Sequence, residues 1–172
     1  MKLIKVAIFF NFFFLFFGYE ITAGQEVTKK IGQFDNWIVY SKSKSLCYII
    51  AQPEKSEGKY TMRGRVRIVV YRNSEKKVKN VLGIDFGYSF PDGSNALIEI
   101  DSKKSFKLST FGQTAWTGSK TKTDEEIINE MIKGNILIAK GKSKRGTDTK
   151  DTYSLKGFAK AIKKIRNNCG FD

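Results

Sequence analysis

The chain has 172 residues, with 31 lysines and arginines against 17 aspartates and glutamates, and a formal net charge of +14 at pH 7. It contains no histidine, which excludes His-based catalytic triads, His metal sites and imidazole acid–base catalysis. Its length suits a single domain with a hydrophobic core.

The N-terminal segment 1–23 has the pattern of a secretory signal peptide. Two lysines precede an apolar run at 6–17, which is shorter than the roughly 20 residues of a membrane span. Small and aliphatic residues then lead up to Ala23, so we predict cleavage between Ala23 and Gly24. An uncleaved N-terminal anchor is the alternative. Cleavage predicts a periplasmic, secreted or cell-surface protein with no transmembrane segment after processing.

The processed chain is expected to contain a flexible lead-in, 24–34, and a single β-rich domain, 35–172. Two cysteines are present, Cys47 and Cys169. Because exported proteins fold in an oxidising compartment, we predict a disulfide between them. Two buried free thiols are the alternative. A disulfide would leave no cysteine as a nucleophile or a soft metal ligand.

Alternation of apolar and polar residues predicts about seven or eight short strands. Trp37 and Val39 share the inward face of the first strand, and LCYIIA at 46–51 is typical of a buried strand. Pro53 and the polar residues after it predict a loop. The later strands are predicted at 63–72, 81–90, 96–100, 106–108 and 136–143. The segment 111–116 is a short strand or a strand end, and 151–153 is a last short strand or the lead-in to the second helix.

Two helices are predicted near the C-terminal end. Thr123 and Glu126 form a capping box at the start of the first, and Gly134 ends it. Ser154 is the predicted N-cap of the second. Its core-facing residues follow helical spacing: Leu155, Phe158, Ala159, Ile162 and Ile165. The predicted fold is therefore mainly antiparallel β, a sandwich or partly closed barrel with two short α-helices.

Four motifs point to one family: Phe-Asp-Asn-Trp-Ile-Val-Tyr at 34–40, Cys-Tyr-Ile at 47–49, Gln-Pro at 52–53, and SKRGTDTKDTYSLKGF at 143–158. The chain resembles the invasion-associated locus B family of alphaproteobacterial exported proteins over nearly all of its processed length. The resemblance implies a β-rich fold and a periplasmic or surface location. The family is associated with host-cell invasion, and it offers no catalytic residues to carry over.

A polar patch near the second helix is a candidate binding site, because loops on rigid scaffolds often carry function. The patch comprises Trp116, Arg145, Thr147, Thr149, Asp151 and Tyr153. The alternative is structural: these side chains would satisfy backbone groups in turns and cap the helix, and Asp151 would pair with Arg145. Trp116 would then be a core or half-buried residue.

The strong positive charge predicts an anionic partner. Export and the absence of zinc-finger, phosphate-loop and RNA-binding motifs argue against nucleic acid. We therefore expect a non-enzymatic protein that binds cell-envelope or host-surface components. No cofactor or metal is expected.

Two other functions remain open. The second helix could be a basic membrane-surface module, with Lys156, Lys160 and Lys163 facing anionic lipid; the alternative is a core-packed helix with a solvated lysine face. Glu99 and Asp101 lie two residues apart on one predicted strand and could serve a carboxylate-dependent hydrolase. An ordinary solvated strand face is the structural alternative for these carboxylates.

Overall fold

The computed structural model describes residues 27–117 and 121–170. The predicted signal peptide and the cleavage site between Ala23 and Gly24 lie outside these residues. The elements follow one another as β1 (Lys29–Phe34), β2 (Trp37–Ser41), β3 (Leu46–Ala51), β4 (Lys55–Gly58), β5 (Arg67–Asn73), β6 (Val78–Asp85), β7 (Asn95–Ile100), β8 (Lys104–Phe111), β9 (Thr114–Trp116), α1 (Thr121–Lys133), β10 (Ile136–Lys142), β11 (Asp148–Ser154) and α2 (Phe158–Asn168).

The eleven strands form one sheet in the order β1-β2-β3-β5-β6-β9-β8-β7-β10-β11-β4. Every strand pair is antiparallel. The predicted fold class is therefore confirmed.

Side-chain bonds bring the two ends of this sheet together. The Asn36 amide donates to Glu54 Oε1 at 2.9 Å, and Trp37 Nε1 donates to the Ser154 carbonyl at 3.0 Å. The first bond joins the β1–β2 turn to the segment before β4, and the second joins β2 to β11. No backbone ladder connects β1 to β4 among the described residues, so the sheet curls but stays unclosed.

Alternate residues of the strands point into a common core, as period-two burial requires. Trp37 and Val39 on β2 are fully buried, as are Cys47 and Ile49 on β3. Helix α2 covers this part of the sheet and places the ring of Phe158 4.7 Å from that of Trp37.

The predicted disulfide is present between Cys47 in β3 and Cys169 at the end of α2, with an S–S distance of 2.05 Å. Arg72 Nε donates to the Cys169 carbonyl at 2.7 Å beside it. The buried residues of α2 are Phe158, Ala161, Ile162 and Ile165, so Ala161 takes the core position predicted for Ala159, which is exposed. The structure thus favours the core-packed interpretation of this helix.

The sheet has more strands than the predicted seven or eight. Strand β1 lies inside the segment expected to be a flexible lead-in, 24–34, and β4 lies in the stretch expected to be a loop. Both are edge strands, and none of their residues is fully buried. The sequence signal is missing because an edge strand exposed to solvent needs no alternating apolar residues.

The start of α2 also differs from the prediction. Ser154 is the last residue of β11, and the helix begins four positions later at Phe158. Gly157 precedes it with a φ of 86°, and a Cβ there would lie 2.4 Å from the Phe34 carbonyl oxygen. Glycine is therefore required by both conformation and space, and it replaces the predicted serine cap.

Candidate binding groove

Loops at the ends of neighbouring strands line a groove of about 900 Å³, here called the basic groove. Its lining comes from residues of 59–64, 87–89 and 143–149 and from Gln113. Backbone hydrogen bonds tie these loops to one another. The bonds run from Gly64 N to Gly87 O at 2.9 Å, from Lys144 N to Ser89 O at 2.8 Å, and from Phe86 N to Gln113 O at 2.9 Å. The groove is therefore built on a fixed frame.

The floor of the groove is a buried ion pair. Arg63 Nη1 and Nη2 donate to the two carboxylate oxygens of Asp151 at 2.8 and 2.6 Å, and Arg63 Nε donates to the Phe86 carbonyl at 2.7 Å. The two side chains are only 5% and 0% exposed. Bidentate pairing of this kind is strong and directional, so it crosslinks the β4–β5 loop to β11.

Two tyrosine rings enclose the Arg63 guanidinium, at 5.1 Å from the centroid of Tyr88 and 5.5 Å from that of Tyr60. Burial lowers the pKa of Arg63, but the hydrogen bonds and charge of Asp151 outweigh this effect and raise the pKa above its ordinary value. Arg63 therefore stays charged.

The Tyr88 hydroxyl shares a hydrogen bond of 2.7 Å with Thr149 Oγ1. Burial raises the pKa of Tyr88, and the bond to Thr149 only partly opposes that shift. The phenol therefore stays neutral at neutral pH. Its bond fixes the wall of the groove between β11 and the connection that follows β6.

Three cations line the groove above this floor: Lys59, Lys144 and Arg145. Among the described residues, none of the three makes an ion pair. Their charges are therefore available to an anion from outside the chain.

A second groove of about 590 Å³ lies over β4, β11, β10 and β7 and differs in its charges. Lys142 pairs with Asp148 at 3.7 Å, and Lys150 pairs with Glu57 at 3.6 Å. Lys140 binds Glu99 at 2.7 Å. Each lysine of that groove is thus already matched by a carboxylate, which makes it the poorer anion site.

The structure brings half of the predicted patch together. Arg145, Thr147 and Thr149 line the basic groove, whereas Asp151 and Tyr153 are fully buried behind it on β11. Asp151 pairs with Arg63, so the predicted pairing with Arg145 is wrong. The partner comes from a segment 88 positions away, and no local sequence pattern indicates a contact between residues so far apart in the chain.

Trp116 does not line the groove. It lies on the outer face of β9, where its indole covers Gly83: a Cβ at that glycine would lie 2.3 Å from the ring. Trp116 Nε1 donates to Thr114 Oγ1 at 2.8 Å, and the Tyr71 ring meets the indole edge-on at 6.1 Å. Its role in the structure is to pack across the sheet.

Sequence reasoning missed Lys59, Tyr60, Arg63 and Tyr88 as groove residues. One available signal was Asp151 itself. It shares an inward strand face with Thr149 and Tyr153, and a carboxylate at an inward position needs a buried cationic partner. The loops that supply the other groove residues carry no comparable signal.

The carboxylates considered for hydrolysis have structural partners. Lys140 Nζ contacts both oxygens of Glu99 at 2.7 and 2.8 Å. Asp101 accepts the backbone N–H groups of Asn135 and Ile136 at 3.0 and 2.9 Å. Residues 27–117 and 121–170 contain no group of three or more Cys, Asp or Glu side chains placed to hold a metal, and none of their helices is long and apolar enough to cross a membrane.

These features define a disulfide-bonded, mainly β protein with a cation-lined groove. The groove lies where the β4–β5, β6–β7, β8–β9 and β10–β11 connections meet, here called the loop end. The family model for the Invasion associated locus B (IalB) protein matches residues 38–166. The match covers most of the chain, so the chain belongs to this family, and the resemblance seen in the motifs is confirmed. No curated protein and no solved structure matches the chain.

Proposed function

We propose that this chain is an exported, non-enzymatic cell-envelope protein that binds an anionic envelope or host-surface component in the basic groove. The observation that carries the proposal is the set of three groove cations without a described ion-pair partner: Lys59, Lys144 and Arg145. A concave site lined by one sign of charge concentrates ligands of the opposite sign. The net charge of the full chain, +14, falls by only one when 1–23 is removed, and it attracts such ligands over a longer range.

Export is supported by the signal-peptide pattern, by the family and by the disulfide between Cys47 and Cys169, since disulfides persist in oxidising compartments. The non-enzymatic part is supported by the partners of the acidic groups. Glu99, Asp101 and Asp151 are all held in structural contacts. The groove residues lack the nucleophile–base pair or paired acids that hydrolysis requires.

The test uses a soluble polyanion, dextran sulfate, with neutral dextran as the reference ligand. We expect the purified, disulfide-bonded protein to bind dextran sulfate in isothermal titration calorimetry, and we expect this binding to weaken as salt rises. Lys59→Gln, Lys144→Gln and Arg145→Gln combined should weaken it by about tenfold or more, because each cation contributes up to about 1 kcal/mol at such a surface.

The matched control combines Lys76→Gln, Lys103→Gln and Lys104→Gln. These lysines are exposed and lie in or beside the β5–β6 and β7–β8 turns, at the strand ends away from the groove. The control lowers the net charge by the same amount and should keep most of the affinity. Equal losses in the two triple variants would mean that overall charge alone attracts the polyanion, and the proposal of a groove site would be wrong.

A further inference from the structure

Two large apolar side chains project into solvent beside the basic groove. Met62, in the β4–β5 loop, is 89% exposed and lines the groove. Phe111, at the end of β8, is 84% exposed. It lies two residues from Gln113, which also lines the groove, and the intervening Gly112 accepts a backbone hydrogen bond from Phe90. Met62 and Phe111 thus project into solvent next to cations that make no ion pair among the described residues.

The net charge of this surface is positive. The exposed cations of the loop-end connections are Lys59, Arg65, Lys144 and Arg145, and the exposed carboxylates are Asp92, on the turn before β7, and Asp148, which is paired with Lys142. Apolar tips surrounded by cations suit the boundary between anionic lipid headgroups and acyl chains. Apolar side chains gain by leaving water there, and lysine and arginine interact with the headgroups.

We infer that this loop end docks on the surface of an anionic phospholipid bilayer, with Met62 and Phe111 inserted at the interface and the groove cations on the headgroups. The inference rests on the proposed function and names its partner. The sequence suggested α2 as the membrane contact, but the apolar residues of α2 are buried in the core. The inference therefore places the contact at the loop end. To insert into a bilayer, α2 would first have to leave the core. Met62 and Phe111 are already in solvent, so the loop end can insert them without a rearrangement.

The first experiment measures co-sedimentation of the disulfide-bonded protein with phosphatidylcholine vesicles that do or do not contain phosphatidylglycerol. We expect binding only to the anionic vesicles. Met62→Asn with Phe111→Asn should lower the affinity by about tenfold at every salt concentration, because apolar insertion is not screened by salt. Neutralising Lys59, Lys144 and Arg145 should lower it by about a hundredfold at low salt and flatten the salt dependence.

Ile136→Asn is the matched apolar control. Ile136 is 45% exposed, but it begins β10, at the end of that strand opposite the groove. Its N–H binds the Asp101 carboxylate, which would repel anionic lipid. This variant should bind the vesicles like the parent protein. All of these sites are exposed, so thermal melting should confirm that each variant is folded.

The second experiment reads insertion directly. A Phe111→Trp variant and an Ile136→Trp variant are mixed with anionic vesicles whose acyl chains carry a brominated quencher. We expect quenching of the added fluorescence for Phe111→Trp and none for Ile136→Trp, each compared with the parent protein. Equal behaviour of the two variants would overturn the assignment of the loop end.

Two results would overturn the inference in different ways. If the Met62 and Phe111 substitutions leave vesicle binding unchanged while dextran sulfate still binds in the groove, bilayer docking is wrong and the proposed anion binding stands. If neither vesicles nor dextran sulfate bind, both are wrong. Vesicle binding that needs Met62 and Phe111, with dextran sulfate binding kept in that double variant, supports both.

Discussion

The buried ion pair between Arg63 and Asp151 allows a direct test of how the groove is supported. Asp151→Asn keeps the shape of the side chain and removes its charge. Arg63 would then keep its charge in a site where its side chain is only 5% exposed, with no carboxylate to balance that charge. The Phe86 carbonyl and the single amide oxygen of the new asparagine are neutral acceptors. We expect Asp151→Asn to lower the free energy of unfolding by about 3–5 kcal/mol, the usual cost of stranding one charge of a buried pair.

Arg63→Met should lower the free energy of unfolding by a similar amount, for partly different reasons. It strands the Asp151 carboxylate, which is fully buried, and it removes the bond to Phe86 and the contacts with the Tyr60 and Tyr88 rings. The ring contacts contribute about 0.5–1 kcal/mol each. Because the two single losses share one interaction, the double variant should be more stable than their sum predicts, by about 1–3 kcal/mol.

Urea unfolding of the oxidised protein, followed by tryptophan fluorescence, measures these free energies. Trp37 is fully buried and reports the core. The m-value should stay constant across the set, so that shifts in midpoint reflect stability. Losses below about 1 kcal/mol in both single variants, with additive effects in the double variant, would show that the pair is solvated and does not hold the groove floor.

Three further predictions concern the scaffold. Replacing Cys47 and Cys169 by alanine opens a loop of 122 residues and should cost about 5 kcal/mol in urea unfolding; an unchanged midpoint would contradict this. Gly83→Ala places a Cβ 2.3 Å from the Trp116 ring and should cost about 1–3 kcal/mol; the cost should shrink when Trp116 is replaced by alanine, and a cost that persists would contradict this contact. Backbone N–H groups hold the pKa of Asp101 below its ordinary value of 3.8. The ionised side chain therefore adds to the free energy of unfolding above pH 3.8, and this contribution is lost as the pH falls through the lower pKa of the folded state. The melting-temperature difference between the parent and Asp101→Asn should therefore shrink in acid, and a constant difference would contradict the assigned bonds.

The interior of the fold was predictable because its signals are local. Burial of Trp37 and Val39 on one strand face follows from their spacing of two residues, and the structure buries both. The bond between Cys47 and Cys169 followed from composition and the expected compartment. The edge strands β1 and β4 were missed because none of their residues is fully buried, so neither strand needs a regular hydrophobic alternation.

The groove was predictable only on one side. Arg145, Thr147 and Thr149 lie close together in the chain, in and beside one hairpin turn, so a polar cluster in the sequence becomes a cluster in space. Lys59 and Arg63 reach the same place from another part of the chain. Their position depends on sheet order, in which β4 pairs with β11 across a long sequence separation. Such pairing leaves no periodic signal in either segment.

The two long-range crosslinks act at different ends of the strands and therefore have separable effects. Cys47 pairs with Arg72 in the β3–β5 ladder, whereas Ala51, near the groove end of β3, pairs with Ile68. The disulfide thus fixes α2 at the end of the sheet away from the groove, and Arg63–Asp151 fixes the groove floor. Ligand affinity depends on how well a site is preorganised. Below the melting temperature, loss of the disulfide should therefore leave polyanion affinity nearly unchanged. The double variant Arg63→Met with Asp151→Asn removes both charges and keeps the net charge, so it should weaken polyanion binding through the lost support of the groove, even where it remains folded.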